Sequence, residues 1–469
     1  MKLRRLLERT SATTSISVPD VEDGGLVSRA ALVSACTAAL TRVTAEETSN
    51  TALLVVDVDG VTEVTEQGGL PAREELLAVI VQRLDSVVGD GVVVGRLGDH
   101  EFAVLFEDLR DQRVALDLAN RIVLTVPKPV FLESQRRATL SVACGIADHE
   151  VLGRTGGPEE LLRAADLAMR EAKRSGRNTV EVCSRELIVM ADERLSIGRD
   201  LRQALADRGL GVSYQPLVDI RDGRLIGFEA LVRWSHPVHG QISPDRFVPL
   251  AEEFGLITDL GRLVLTTATA QVQQWAAVVD LPLTVHVNIS ALDLAADGFV
   301  EMVAATLAET ELSPPQLVLE LTESEVLRDL DSARDRLSAL HALGIRIAVD
   351  DFGGSNGGMA YLQQLAVDIL KVEERVDDGD EQRADDMLRG VIAFGKALGM
   401  QVFGERIEDD EQRGRLLEHG CTVGQGYLFS RPLTPEDAAA YLRTEVLSAP
   451  EAGEGLRGPI VGGPRDYLT

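Results

Sequence analysis

The segment Leu225–Trp234 reads LIGFEALVRW, an apolar run interrupted by Glu229 and Arg233. Its flanks and length are those of a buried strand, so a carboxylate in its middle needs a reason. Seven more segments have the same character. They are GVSYQPLVDI (211–220), LTVHVNI (283–289), LVLELT (317–322), IRIAVD (345–350), VDILKV (367–372), MQVFGE (400–405) and TVGQGYLF (422–429). Helical patterns fill most of the gaps, for example 244–275 and 331–344. Eight strands alternating with helices over about 250 residues predict a (β/α)8 TIM-like barrel. In such a barrel the C-terminal strand ends converge on one face, and polar residues stand at matching places. Glu229 follows IGF, Asn288 follows LTVHV, and Glu320 ends LVLE. Asp350 and Asp351 follow IRIAV, Lys371 ends VDILK, Glu405 follows MQVFG and Gln425 follows TVG.

One acidic residue at a strand end is ordinarily a solvated turn residue or a helix cap. Carboxylate, amide or ammonium groups on seven of eight strands form a pattern that this reading does not cover. Carboxylates crowded at one mouth repel each other, and bound divalent cations relieve the repulsion. Oxygen donors from Asp, Glu and Asn suit Mg2+ or Mn2+. There is no HExxH and no Cys/His cluster, so the donors do not suit zinc. Spacing alone therefore points to metal-assisted hydrolysis.

The chain has 469 residues and a formal net charge of −28. That length predicts two or three domains. The acidic field repels nucleic-acid polymers and anionic lipid, which leaves a small phosphate ligand paired with cations. Cys36, Cys144, Cys183 and Cys421 lie far apart, as expected of a reducing cytoplasm. The start, MKLRRLLERTSATTS, has no apolar stretch behind its basic residues. No segment reaches the roughly 18–20 apolar residues of a membrane span.

Residues 1–24 and 448–469 are expected to be disordered tails, and 25–183 and 197–447 to be two domains. Residues 184–196 open a charged helical stretch, either a rigid lever between the domains or a capping helix of the second. In the first domain TALLVVDVDG (51–60), VVVGRL (92–97), EFAVLF (101–106) and ATLSVACGIAD (138–148) predict strands. Only Gly98, Asp99 and His100 separate the second from the third, which is a tight hairpin. REELLAVIVQRL, LDLANRIVLTV and ELLRAADLAMREAKRSG predict helices, the last closed by Gly176. The expectation is an antiparallel α+β sheet backed by helices.

The second half resembles the EAL domains, phosphodiesterases of cyclic di-GMP. The likeness rests on Glu229-Ala230-Leu231 with Val232-Arg233-Trp234, on YQPLVDI before them and HPVHGQISPDRFVPLAEEFGLI after them. It continues through VNIS, ELTES, DDFGG, DILK and GQGYLFSRPL. The resemblance implies that Glu229, Asn288, Glu320 and Asp350 ligate a first metal, and that Asp350, Asp351 and Glu405 serve a second. It implies that Lys371 orients or helps deprotonate the attacking water and that Glu323 braces the loop carrying Asp350 and Asp351. Gln215, Arg233 and Gln425 would contact the dinucleotide, and the product would be linear pGpG. His236 and His239 belong to a loop the family shares for structural reasons, and the acidic run 377–381 reads as a solvated loop.

The chain departs from the family pattern in three places. DFGTGYSSL becomes Asp351 followed by FGGSNGGM, whose extra glycines loosen the loop. KID becomes Lys371-Val372-Glu373. AEGVE becomes Gly404-Glu405-Arg406-Ile407-Glu408, so that an arginine replaces a glycine beside the pocket.

The first domain resembles the GGDEF family, which makes cyclic di-GMP from two GTP. Asp57-Val58-Asp59 matches its metal-binding strand end, and Lys173 and Arg177 match its phosphate-binding positions. The name-giving loop is Gly98-Asp99-His100-Glu101-Phe102. Asp99 adds bulk and charge where a glycine admits GTP, and His100 replaces a metal-holding carboxylate. Thr65 and Glu74 stand at the guanine-contacting places, and Gly89 and Val92 at the inhibitory RxxD. The nucleotide-cyclase-like, ferredoxin-like domain is therefore expected to be a degenerate cyclase. Asp57, Lys173 and Arg177 either bind GTP as a regulatory ligand or are inherited surface residues.

The resulting expectation is a cytoplasmic, Mg2+- or Mn2+-dependent phosphodiesterase of cyclic di-GMP. A homodimer is expected by analogy, and a protein partner would supply the input signal. The alternatives are a catalytically silent cyclic di-GMP receptor and an inert scaffold.

Overall fold

The computed structural model describes residues 26–46, 50–88, 92–109, 111–132, 137–153, 156–279, 282–352, 359–373 and 381–448. The first predicted tail, the second from residue 449 onward, the glycine-rich loop after Phe352, Gly89 and most of the acidic run 377–381 lie outside these residues, whereas Ser448, expected in the second tail, ends a helix. The chain divides into two units, 1–195 and 196–469. Among the described residues no helix is long and apolar enough to cross a membrane. All four cysteines are free and buried.

The first unit holds strands β1 (Asn50–Asp59), β2 (Val92–Arg96), β3 (Glu101–Leu109), β4 (Val130–Phe131), β5 (Arg137–Ala138), β6 (Ser141–Asp148) and β7 (Thr179–Val182). Five of them form one sheet in the order β2-β3-β1-β6-β7. Its centre strand is buried on both faces because helices cover both. Leu54, Val56, Val104 and Ile146 belong to one core cluster, on the side of helices Val61–Val87 and Gln112–Thr125. Leu53, Val55, Ala103 and Leu105 belong to the other, with helices Arg29–Glu46 and Pro158–Ser175. The expected antiparallel sheet needs one correction. β7, unread in the sequence, pairs parallel with β6 because helix Pro158–Ser175 carries the chain back across the sheet.

The second unit holds β8 (Leu210–Asp219), β9 (Leu225–His236), β10 (Gly240–Ile242), β11 (Thr284–Asn288), β12 (Leu317–Thr322), β13 (Arg346–Asp350), β14 (Ile369–Glu373), β15 (Gln401–Glu405) and β16 (Val423–Gly424). Strands β9 and β11 to β16 run parallel, each beside the next. The barrel is not a regular (β/α)8. β8 forms a hairpin with β9 and pairs antiparallel with β16, so it closes the cylinder with reversed direction. The short link Ile220–Arg224 leaves no room for the crossover helix a parallel β8–β9 pair would need. The expected last strand shrinks to two residues and puts Gln425 just past its end. The long helical stretch splits at Gly255, whose φ of 67° ends one helix before Ile257–Val279 begins.

The helix read as starting in the linker spans Arg185–Ala206 and crosses the boundary between the units. Its Ile197 and Leu201 belong to the barrel's outer core.

Period-two alternation builds the barrel interior in layers. Leu217, Val318, Ala348, Ile369 and Phe403 form an apolar floor. Two residues onward on four of those strands stand Glu320, Asp350, Lys371 and Glu405. Leu319, Leu321, Val349 and Val372 point outward into the helical layer. Close strand approach beneath Glu229 depends on Gly227, where a Cβ would come within 2.2 Å of Thr284 Oγ1 and 2.3 Å of its carbonyl. Gly227→Ala should therefore cost about 1–3 kcal/mol by overpacking. Urea unfolding followed by tryptophan fluorescence measures this, since Trp234 and Trp275 are the chain's two tryptophans and both lie in the barrel unit. An unchanged midpoint would show that β9 and β11 part freely there.

Candidate functional site

Lys371 stands in the barrel interior, fully buried, one layer above the floor. Its Nζ lies 2.6 Å from Glu405 Oε1, 2.8 Å from Glu320 Oε2, 3.5 Å from Glu229 Oε2 and 3.6 Å from Asp350 Oδ1. Residues from five strands thus meet around one ammonium. Burial alone would draw that ammonium's pKa down, but the four carboxylates outweigh it and hold Lys371 well above its ordinary range. Burial pushes the carboxyls of Glu320 and Glu405 well above theirs, against the pull of Lys371. Asp350 goes the other way. Burial opposes ionisation, yet Lys371, a hydrogen bond with Glu405 and the Asp351 amide hold it below its usual value.

Amides complete the cluster. Asn288 Nδ2 donates to Glu229 Oε1 at 2.8 Å, which leaves its carbonyl oxygen for a cation. Gln425 Nε2 donates to Glu229 Oε2 at 2.5 Å and to Glu405 Oε1 at 3.0 Å. Gln425 Oε1 is buried and has no hydrogen-bond partner among the described residues. An orphaned buried acceptor among carboxylates calls for a cation, a water or a ligand donor. The donor set is oxygen throughout, which fits a hard divalent cation such as Mg2+ or Mn2+.

The other residues singled out in the sequence are placed as follows. Gln215 lies directly opposite Glu229 in the β8–β9 pair, so its side chain shares the interior face, and its Nε2 donates to Ser430 O at 3.4 Å. Arg233 is on the same face of β9, four residues past Glu229, and is half-buried. Glu323 is buried at the start of helix Glu323–Arg328. Burial pushes the Tyr361 phenol up, and the charge of neighbouring Glu323 adds to the shift. Glu323 is thus near enough to Tyr361, in the segment after the Asp350–Asp351 loop, for its charge to act on the phenol.

Asp351 and Arg406 both adopt left-handed backbone, with φ of 54° and 48°. Position 406 is thus one where glycine is at ease and arginine is strained. The Arg406 guanidinium pairs with Glu373 at 2.9 Å, so two of the three departures from the family pattern engage each other.

Sequence reasoning missed His286. It lies fully buried on β11, and its Nδ1 lies within hydrogen-bond distance of Glu320 Oε1, at 2.6 Å. Burial, then the charges of Lys371 and Arg346, hold its pKa well below the ordinary value, so the ring is neutral. The signal available was its position, two residues before Asn288 and therefore on the same strand face.

In the first unit Lys173 Nζ bridges Asp57 Oδ2 (2.5 Å) and Asp59 Oδ1 (2.7 Å). Lys173 and Arg177 line a cavity of about 440 Å3 with Asp59, Glu63 and Ser141. Asp99, exposed in the β2–β3 hairpin, pairs with Arg73 at 2.5 Å. His100 Nε2 lies 3.4 Å from Asp57 Oδ1. With Glu101 these two place ligand atoms within 4.8 Å of one another, a group that could hold a metal.

Comparison with known proteins agrees with this division. The EAL domain family matches residues 198–432, and the diguanylate cyclase GGDEF domain family matches residues 24–179. An uncharacterized signaling protein of Caulobacter vibrioides is 38% identical over 443 residues, covering 93% of this chain and 54% of that protein. The bifunctional diguanylate cyclase/cyclic di-GMP phosphodiesterase MucR of Pseudomonas aeruginosa is 35% identical over 391 residues, covering 83% of this chain and 56% of that protein. The chain thus spans about half the length of these curated relatives. A solved EAL enzyme in a cAMP- and cyclic di-GMP-bound form shares the fold, with a TM-score of 0.51 and 23% identity. That match covers 66% of this chain and 82% of the other.

The four-carboxylate cage makes Lys371 a sensitive point for stability. Lys371→Met leaves buried carboxylates without their cation and should destabilise the barrel by about 3–5 kcal/mol in the presence of chelator. Tryptophan-monitored urea unfolding checks this. A loss below about 1 kcal/mol, the scale of an exposed ion pair, would contradict the cage.

Proposed function

The chain belongs to the EAL family and carries a GGDEF domain in tandem with it, and from that premise we propose that its barrel hydrolyses cyclic di-GMP to linear pGpG with Mg2+ or Mn2+. The observation that carries the proposal is the convergence of Glu229, Asn288, Glu320, Asp350 and Glu405 around Lys371. When bound, the cations supply Lewis acidity toward the phosphodiester and its attacking water.

Glu229, Asn288, Glu320 and Asp350 are the proposed first-metal ligands, and Asp350, Asp351 and Glu405 the proposed second set. Lys371 holds the carboxylates together, and its ammonium, 2.6 Å from Glu405, would orient the attacking water. Gln425 contacts the dinucleotide while fixing Glu229 and Glu405 through one amide nitrogen. Gln215 and Arg233, on the interior face of the β8–β9 hairpin, contact the ligand, with Arg233 bringing positive charge to an acidic mouth. Glu323 braces the Asp350–Asp351 loop through the segment of Tyr361.

The same reading assigns the first domain a regulatory role without cyclase activity. Asp99 puts a carboxylate, held by Arg73, where a triphosphate would lie. Lys173, paired with Asp57 and Asp59, and Arg177 line the 440 Å3 cavity, which is the proposed seat of GTP as a regulator. Self-association and an input from a protein partner complete the proposal.

Purified protein with Mn2+ or Mg2+ should convert cyclic di-GMP to pGpG, and EDTA should abolish conversion. Glu229→Ala should lower kcat/KM by about 10²–10³-fold, the scale of a lost group in a preorganised site. Chromatographic detection of pGpG measures both effects. No turnover by metal-replete wild type would contradict the proposal. Incubation with GTP and Mg2+ should yield no cyclic di-GMP, and its appearance would overturn the reading of the Gly98–Phe102 hairpin.

A further inference from the structure

His286 interrupts the apolar floor of the barrel. Strand register sets it level with Val318, in the layer otherwise built from Leu217, Val318, Ala348, Ile369 and Phe403. Its ring is 5.9 Å from that of Phe403 and 1% exposed. An apolar side chain would fill such a place without leaving a polar atom unmatched, yet His286 Nε2 is buried with no partner among the described residues. The other nitrogen accounts for the residue. Nδ1 lies 2.6 Å from Glu320 Oε1, and a Glu320 ionised to ligate a cation can only accept there, which puts the proton on Nδ1 in the metal-binding state.

Glu320 is therefore held at both oxygens. His286 fixes Oε1 from the floor below, and Lys371 Nζ meets Oε2 at 2.8 Å. Only the Lys371 contact lies in the layer where a cation would bind. The register partner of Glu320 is Asn288, two residues past His286 on the same face. One strand thus supplies both the neighbouring oxygen donor and the group that orients the carboxylate.

We propose that His286 is a positioning residue for divalent-metal binding: by donating Nδ1–H to Glu320 Oε1 it locks that carboxylate with Oε2 presented to the cation. The proposal rests on the reading of Glu320 as a metal ligand. Hydrogen-bond partners of ligating carboxylates set ligand orientation, and their loss typically weakens metal binding about 10–100-fold.

The test uses the full-length chain with Mn2+ alone, so that no turnover is needed. Mn2+ affinity is measured by electron paramagnetic resonance for wild type, His286→Leu, His286→Asn and Glu320→Gln. Fold is checked by near-ultraviolet circular dichroism. His286→Leu should weaken Mn2+ binding about 10–100-fold while the barrel stays folded. His286→Asn, whose amide can still donate upward, should restore most of the affinity. A folded His286→Leu with wild-type affinity overturns the proposal. If Glu320→Gln also leaves Mn2+ affinity unchanged, the fault lies in the ligand assignment. If Glu320→Gln abolishes binding and His286→Leu does not, only the positioning role fails.

A second measurement does not depend on any variant folding. Wild type with 15N-labelled histidine should show one ring protonated at Nδ1 whose signal shifts on titration with Mg2+. A Mg2+ titration that leaves every histidine ring signal in place would overturn the proposal as well.

Discussion

One ammonium group organises this barrel. Lys371 lies fully buried and touches carboxylates from β9, β12, β13 and β15 within 3.6 Å. Without a cation at their centre these carboxylates would repel one another, and burial would strip their protons' usual equilibrium of water's help. A buried charge cluster of this kind is weak evidence for stability in its own right. Its position at one mouth of a closed sheet is better explained by chemistry that needs several anionic oxygens in one place. The donor chemistry, with Gln425 Oε1 unmatched among the described residues, fits divalent cations added to that cage.

The register of the strands makes the cage possible. Apolar floor residues and ionisable residues alternate strictly by two along β12, β13, β14 and β15, so each strand contributes one of each to the interior. A slip of one residue on any strand would send its carboxylate into the outer helical layer. The close approach at Gly227 and the closure of β8 against both β9 and β16 hold that register. Closure by a reversed strand also brings Gln215 opposite Glu229 rather than to a strand end, so the amide proposed to contact the ligand arrives from the opposite chain direction.

Most of the barrel was legible because its strands announce themselves as apolar runs with one misplaced polar residue. Glu229, Glu320, Lys371 and Glu405 were visible for that reason, and the structure puts them within reach of one another. The reversed direction of β8 was not legible, since periodicity carries no sign of strand polarity. β16 was overread because TVGQGYLF keeps its apolar character where the backbone turns away to pack. His286 escaped because a histidine inside a strand of Val and Thr looks like a tolerated core residue. Only its register with Val318 and its 2.6 Å approach to Glu320 single it out. The Glu373–Arg406 pair was legible as two unrelated departures, and the contact between them depends on a left-handed turn at Arg406 that sequence does not disclose.

The central claim is that the cage around Lys371 is a cradle for divalent cations. Anomalous diffraction from crystals grown with Mn2+ tests it most directly. The account predicts Mn2+ peaks at the barrel mouth, ligated by oxygens of Glu229, Asn288, Glu320 and Asp350. A well-ordered barrel soaked in Mn2+ that keeps the Lys371 cage closed, with no anomalous peak among those residues, would contradict it.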